Sequence, residues 1–270
     1  MWTIFTRTII DKKYSLLVYL IVGIALLWMY IAMFPAIQTQ GEVMVKLIEQ
    51  FPENVQKIME GLGADAVSMT TIEGLLASKQ YSLIWPLLAI LLVAGFAGAT
   101  IAGEIERGVF ELTLSRPISR TKILMARYLA GLVMIFVFTF LSIYSIIPLA
   151  GMYDIELQLS NIFKLSILAF LFGWAVLSMS LFFSTLFSEK ARTFALIGGL
   201  MMGMYILNTV ALVSEKFEVI RYTSFFHYFD TVGSLINNTI GQTSIIVFVI
   251  CIVVFTSLSI YFFNKRDIAV

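Results

Sequence analysis

Six long runs of the chain contain no Asp, Glu, Lys, Arg or His, and this feature limits most strongly how the chain can fold. The runs cover residues 14–41, 80–103, 128–153, 165–188, 193–214 and 231–264. Each exceeds the roughly 20 residues that cross about 30 Å of hydrocarbon as a helix. Inside a bilayer the backbone must satisfy its own hydrogen bonds, and runs of this length and apolarity do so as helices. We therefore predict an all-α integral membrane protein with six transmembrane helices.

The composition supports a single transmembrane domain over residues 1–270. Sixty per cent of the residues are apolar and 13% are charged, whereas a soluble domain carries about a quarter charged residues. The last apolar run is too long for one span, and its first part is rich in Gly and Asn, so we place the sixth span in its second part. The predicted spans are 15–35, 82–103, 123–149, 163–187, 193–214 and 244–263.

The distribution of Lys and Arg predicts the orientation. With the N-terminus in the cytoplasm, twelve of the 18 basic residues lie on the cytoplasmic side, and an even number of spans places both termini there. The segments between spans then include a long outer loop at 36–81, a cytoplasmic loop at 104–122 and an outer segment at 215–243. Trp2, Phe5 and Ile9 recur at helical spacing, which predicts an interfacial N-terminal helix before the first span. The alternative is an ordinary positively charged flank.

The sequence lacks the motifs of several functional classes. It contains no G-x-x-x-x-G-K-[ST] phosphate loop, no H-E-x-x-H and no G-x-S-x-G, and His227 is its one histidine. We therefore predict no catalytic residue, no metal site and no cofactor on this chain. The six uncharged runs argue against an ion-coupled transporter, which usually needs intramembrane charge. If the chain performs work, the energy must come from another chain.

Segment 102–120 gathers charge between the second and third runs. Its charged residues are Glu104, Glu106, Arg107, Glu111, Arg116 and Arg120. Over 103–115 the spacing predicts an amphipathic helix that continues the second span. Pro117 then ends it, because proline removes a backbone donor and restrains the residue before it. A helix followed by a turn could transmit a push from a soluble partner. The alternative is a simple positively charged loop.

The stretch EIERGVFELTLSRPISR at 104–120 resembles the charged segment of type-2 ABC exporter permeases, which runs E-x-E-x-G-x-x-E and ends S-x-P-[IV]-S-R. The order of elements is similar to that family over nearly the whole chain, and so is the ending FFNKRDI at 262–268. Phe110 departs from the pattern, since threonine is common there.

This resemblance implies a half-transporter. Two permease chains, identical or not, would form a pathway lined by the first, second and fifth spans, and two separate ATPase subunits would bind ATP and Mg²⁺. The loop between the second and third spans would be the coupling helix, in contact with an ATPase. The N-terminal helix would be a secondary contact. The predicted coupling residues are Glu104, Glu106, Arg107, Glu111, Arg116, Pro117 and Arg120.

The uncharged walls favour an amphiphilic cargo, such as a drug, an antimicrobial or a lipid-like molecule, in a bacterial or archaeal cytoplasmic membrane. A net charge of +1 gives no reason to expect a nucleic-acid partner. The alternative function is a non-transporting membrane anchor that recruits a soluble partner through the same loop. An enzyme acting on lipids is disfavoured, because no catalytic cluster is present.

Two further sets of residues are candidates for packing and gating. Ala195, Gly199 and Gly203 form a small-xxx-small row in the fifth span, which predicts close helix packing either within the chain or at a dimer seam. The aromatic stretch of the outer segment is either an interfacial aromatic belt or a partly re-entrant gate. Its members are Phe225, Phe226, His227, Tyr228 and Phe229.

Overall fold

The computed structural model describes residues 1–48, 50–52, 70–110, 118–213 and 218–266, and within these residues it contains helices and no strand. The helices described in full before residue 214 are α1 Trp2–Ile48, α2 Ile72–Glu106, α3 Arg120–Gly151, α4 Leu159–Leu186 and α5 Lys190–Val213. Those described after residue 217 are α6 Glu218–Arg221, α7 Phe225–Tyr228, α8 Thr231–Leu235 and α9 Gln242–Lys265.

Six helices, α1 to α5 and α9, are long and apolar enough to cross a membrane. The shortest of them has 24 residues, which at 1.5 Å per residue spans about 36 Å. The prediction of an all-α protein with six transmembrane helices is therefore confirmed. The orientation of the termini stays a prediction.

Helix α1 differs from the predicted layout, because it is unbroken from Trp2 to Ile48. The expected N-terminal helix is continuous with the first span, since residues 2–22 contain neither glycine nor proline. The helix also continues through Pro35 into the predicted outer loop. Helix α2 begins at Ile72, so the helices on both sides extend into the predicted outer loop of 36–81, whose bounds stay a prediction.

Helix α4 lies at the centre of the bundle and packs against α2, α3 and α9. Two glycines allow this packing. A Cβ atom on Gly173 of α4 would lie 2.6 Å from Ile135 Cγ1 of α3, and one on Gly131 of α3 would lie 2.8 Å from Leu177 Cδ1 of α4. Most residues of the spanning stretches of α2 and α4 are buried, whereas few residues of α5 and α9 are. The outward faces of α5 and α9 are thus open to lipid or to another chain.

Helix α2 is not regular, because it contains two π-helical stretches, Leu76–Ile84 and Gly98–Ala102. Such wide turns are uncommon and occur frequently at functional sites. The second stretch lies just before the charged segment. It brings Ala102 N–H to Ser184 Oγ of α4 at 3.1 Å, while the same hydroxyl donates to Ala97 O at 2.6 Å. Ser184 therefore satisfies backbone groups that the irregular turn would otherwise leave unpaired.

Candidate functional site

One end of the bundle, which we call the charged end, brings together the starts of α1, α3 and α5 and the ends of α2, α4 and α9. It holds the described part of segment 102–120. The other end, called the opposite end, holds α6, α7 and α8. Loops separated widely in sequence meet at the charged end, so its side-chain contacts determine which charges remain available to a partner.

Helix α2 ends at Glu106 in a Schellman motif. Gly108 has φ +67°, its N–H donates to Ile105 O at 3.0 Å, and the Val109 N–H donates to Glu104 O at 3.1 Å. Glycine takes this left-handed conformation without a Cβ penalty. The continuous helix expected over 103–115 is therefore wrong, because the chain turns at Gly108. The residues after Phe110 in that range lie outside the described structure.

A buried ion pair holds the end of α2 against α3. Arg127 Nη2 donates to Glu104 Oε2, with 3% of the Arg127 side chain exposed and 26% of the Glu104 side chain. The Arg127 guanidinium also lies over the Phe110 ring, 5.0 Å from its centroid. Phe110 is itself buried and meets Phe263 of α9 edge-on. Arg127 thus connects the end of α2, the turn that follows it and, through Phe110, α9.

A second carboxylate holds the start of α5. Glu106 Oε2 accepts a hydrogen bond of 2.8 Å from the Lys190 backbone N–H, a group that has no partner within its own helix. The negative charge also suits the positive end of the helix dipole. Gly98 of α2 favours the approach, because a Cβ there would lie 3.3 Å from Lys190 O, and a Cβ on Gly103 would make an ordinary contact of 3.5 Å with Lys190 Cβ.

Arg266, the residue that follows α9, binds the ends of two other helices at the charged end. Its guanidinium Nη1 donates to the carbonyl oxygens of Thr185 at 2.6 Å and Phe187 at 3.1 Å, at the C-terminus of α4. Such carbonyls lack helical partners, and a cation also matches the helix dipole. The Arg266 carbonyl in turn accepts from Arg120 Nη1 of α3. The ends of α3, α4 and α9 are therefore joined.

A cavity of about 610 Å³ lies between α1, α2 and α5 at the charged end. Its charged lining residues are Asp11, Lys12, Glu106 and Lys190, and its apolar lining includes Leu91, Phe96, Met134 and Phe194. Gly95 also lines it, and a Cβ there would meet nothing within 4 Å. The cavity is therefore charged in one part and apolar in another, with unfilled space beside α2.

The sequence model of the ABC-2 family transporter proteins matches residues 2–268. The chain belongs to the ABC-2 transporter family. A comparison with curated proteins finds no match. Family membership and the six spans establish a multi-pass integral membrane protein that is a component of a transport system. Permeases of this family associate with ATPase subunits and a bilayer.

The predicted coupling residues of this ABC-2 permease have different surroundings in the structure. Glu104, Glu106 and Arg120 are engaged within the chain. Arg107 is exposed, and its Nε donates to Gly103 O at 2.9 Å. The other predicted coupling residues, Glu111, Arg116 and Pro117, lie outside the described residues.

The described residues of the chain do not pack closely against the predicted row of α5. Ala195 and Gly199 are exposed, and a Cβ on Gly199 or Gly203 would meet nothing within 4 Å. The glycines of α2 behave differently, since Gly98 and Gly103 face Lys190 closely. The α5 row thus lies on a free face.

The five predicted gate residues are distributed between the interior and the rim of the opposite end. Phe225 and Phe229 are buried, and Phe229 lies 4.8 Å from Phe172 and 6.0 Å from Trp85 between ring centroids. Phe226, His227 and Tyr228 are partly exposed.

Side-chain hydrogen bonds fasten this segment to the spans. Ser224 Oγ donates to Met204 O at 2.8 Å and Thr231 Oγ1 donates to Ala77 O at 2.9 Å. The segment therefore packs into the end of the bundle.

Arg127 is a site residue that the sequence-based predictions did not include, because it lies beyond the charged segment 102–120. The residues around it nevertheless indicated its position. Residues three and four positions away share its helix face, and Ile123, Leu124, Ala130 and Gly131 are all apolar or small. A charge on such an apolar face is costly against lipid, which favours a position inside the bundle, where an isolated charge requires a partner.

Proposed function

We propose that this chain is the membrane-spanning subunit of an ABC exporter and forms, with a second permease chain, the pathway for an amphiphilic substrate. ATP and Mg²⁺ would bind to two separate ATPase subunits at the charged end. The observation that carries this proposal is the cavity between α1, α2 and α5 in a chain of the ABC-2 family.

The lining of the cavity supports an amphiphilic cargo. Asp11 and Lys12 supply charge of both signs near one end, while Phe96, Met134 and Phe194 supply apolar walls. At about 610 Å³ its size lies within the usual range of small-molecule sites, about 300–1,000 Å³. A molecule with a polar group and an apolar body would match both parts of the lining.

The free face of α5 supports a second permease chain. Gly199 and Gly203 would allow a close helix approach without rearrangement of this chain. Exposed apolar side chains, among them Met202 and Ile206, flank them. A partner helix placed there would extend the wall of the cavity, since α5 also supplies Phe194 to its lining.

The ATPase contact is best supported at Arg107 among the described coupling residues. Glu104 and Glu106 already bind Arg127 and Lys190, so their substitution would disturb the fold as well as any docking. Arg107 is exposed at the turn that follows α2. We expect Arg107→Glu to lose ATPase binding in a pull-down from detergent and Arg107→Lys to retain most of it, because lysine keeps the charge. Equal binding by both variants would exclude Arg107 as a contact.

Transport itself is tested in proteoliposomes that contain the chain, its cognate ATPase and a panel of fluorescent amphiphiles. We expect ATP-dependent dye movement, and we expect Gly95→Leu to reduce it strongly because the new side chain enters the cavity. Gly151→Leu is the matched control, since a Cβ there also meets nothing within 4 Å and Gly151 lies outside the cavity lining. If ATPase binds but no dye moves with the unmodified chain, the anchor function replaces the exporter. Unchanged transport by Gly95→Leu would exclude this cavity as the pathway.

A further inference from the structure

The opposite end of the bundle contains a second cavity, separate from the proposed pathway. It has a volume of about 360 Å³ and lies between α2, α5 and the segment that runs from α6 to the start of α8. Its size is at the lower limit of small-ligand cavities. The cavity therefore suits a small polar group better than a drug-sized molecule.

Three buried polar atoms without a hydrogen-bond partner line this one cavity. They are Asn208 Oδ1 of α5, Arg221 Nε of α6 and His227 Nδ1 of α7. Nine such side-chain atoms occur in the described part of the chain, so a third of them are concentrated here. A buried polar atom left unpaired costs about 1–3 kcal/mol. An occupant that pairs with all three atoms would remove this cost, which points to a polar ligand.

The cavity also contains charges of both signs. Arg221 forms no ion pair within 4 Å of any described carboxylate, so its guanidinium fork is available to a phosphate or carboxylate. Asp230 uses Oδ1 to accept the Gly233 N–H at 2.8 Å, which caps α8 and leaves Oδ2 available. An anion beside Arg221 and a cation beside Asp230 would be matched in the same cavity.

Aromatic side chains are also part of the lining. Tyr205 and Phe226 line it, and their ring centroids lie 5.2 Å apart in an edge-to-face arrangement. Aromatic faces attract ammonium groups, and Asn208 Oδ1 can accept a hydrogen bond from one. The occupant best matched to this lining therefore carries both an anionic oxygen group and an ammonium.

The position of the cavity indicates the source of such a group. It lies near the end of α5, and the end of a helix that crosses the hydrocarbon core is at the depth of the lipid headgroups. We propose that this cavity binds a zwitterionic phosphate–ammonium group, supplied by the headgroup of a phospholipid in the leaflet at the opposite end. Arg221 and His227 would bind the phosphate, and Asp230 with Asn208 would bind the ammonium.

The proposal is tested by native mass spectrometry of the purified chain in detergent, with no ATPase present, so that the outcome is independent of the exporter assignment. The probes are phosphatidylethanolamine, phosphatidylglycerol with the same acyl chains, and free phosphoethanolamine. We expect the unmodified chain to bind phosphatidylethanolamine about tenfold more tightly than phosphatidylglycerol, which lacks the ammonium. Equal binding of the two lipids by the unmodified chain overturns the proposal. Tighter binding of free phosphoethanolamine than of the lipid overturns the headgroup as the source.

Two substitutions assign the two halves of the site. Arg221→Gln should weaken phosphatidylethanolamine binding at least about tenfold, since a charge-assisted contact is lost. Asp230→Asn keeps an oxygen to cap α8 but removes the charge, so it should abolish the preference over phosphatidylglycerol. Lys164→Gln is the control, because Lys164 is a cation of the same end that binds the Asn238 carbonyl and does not line the cavity. The proposal is contradicted if both site variants bind the lipid as tightly as the unmodified chain does. It is also contradicted if the control variant loses lipid binding to the same extent as the site variants.

Discussion

Removal of the Glu104 charge should destabilise the chain more than loss of an exposed carboxylate would. In Glu104→Gln the Arg127 guanidinium keeps its charge, is 3% exposed and loses its one described ion-pair partner. Breaking a buried pair in this way costs about 3–5 kcal/mol. Because 26% of the Glu104 side chain is exposed, water can partly replace it, and we expect about 3 kcal/mol. That corresponds to a factor on the order of 100 in the unfolding equilibrium.

The unfolding free energy lost in Glu104→Gln should depend on whether Arg127 is present. Arg127→Met leaves Glu104 near solvent and removes the contact with the Phe110 ring, worth about 0.5–2 kcal/mol. In the double variant no buried charge remains, so it should be more stable than Glu104→Gln alone by about 1–2 kcal/mol, as expected when both partners of a buried pair are replaced. The unfolding free energies lost in the two single variants would therefore add up to more than the free energy lost in the double variant.

The measurement is equilibrium unfolding in mixed micelles of increasing SDS fraction, followed by tryptophan fluorescence. Glu106→Gln serves as the comparison, because it loses a charge at the same end but leaves no buried cation. Its cost should be about 1 kcal/mol, that of a weakened helix cap. A Glu104→Gln variant within 0.5 kcal/mol of the unmodified chain, or strict additivity in the double variant, would refute the role of the buried pair.

Three further predictions use the same chain. Gly108→Ala should cost about 1–2 kcal/mol in the same unfolding assay, because alanine is strained at φ +67°, whereas Gly151→Ala should cost nothing; equal effects would exclude the turn as the cause. Gly199→Phe should leave stability unchanged, since a Cβ there meets no atom within 4 Å, but should reduce cross-linking between permease chains; unaltered cross-linking would place the seam elsewhere. Burial, and then Arg221, lower the pKa of His227 from its ordinary value of 6.5, against the opposing effect of Asp230. The unfolded chain then binds more protons, so thermal stability should fall as the pH drops from about 7.5 to 5.5, and His227→Gln should flatten that slope; a slope that the substitution leaves intact would assign it to another group.

For the charged loop, the sequence predicted the location of the site but not the contacts that its residues make. The charge pattern of 104–120 located a segment whose described residues, 104–110 and 118–120, lie at a meeting point of six helices. It did not reveal that Glu104 and Glu106 are bound within the chain, because their partners Arg127 and Lys190 are 23 and 84 residues away. The end of the helix at Gly108 was also missed. The amphipathic spacing persists past that residue, while the glycine conformation ends the helix.

Two pairs of glycines show the same limit in the spans. Gly98 and Gly103 of α2 and Gly199 and Gly203 of α5 both lie in apolar runs, and either pair could lie inside the chain or on its surface. The packing separates them, since the first pair faces Lys190 and a Cβ on either member of the second pair would meet no described atom within 4 Å.

The sequence by itself determined that this protein is a six-span membrane protein with one concentration of loop charge. Whether a run can cross the hydrocarbon core of a bilayer depends on its length and its apolarity, and both are local properties of the sequence. The tertiary structure alone decided which charges are paired, which helix faces remain free and where the two cavities lie. Each of these depends on residues distant in sequence being brought within a few ångströms, and no local pattern encodes those distances.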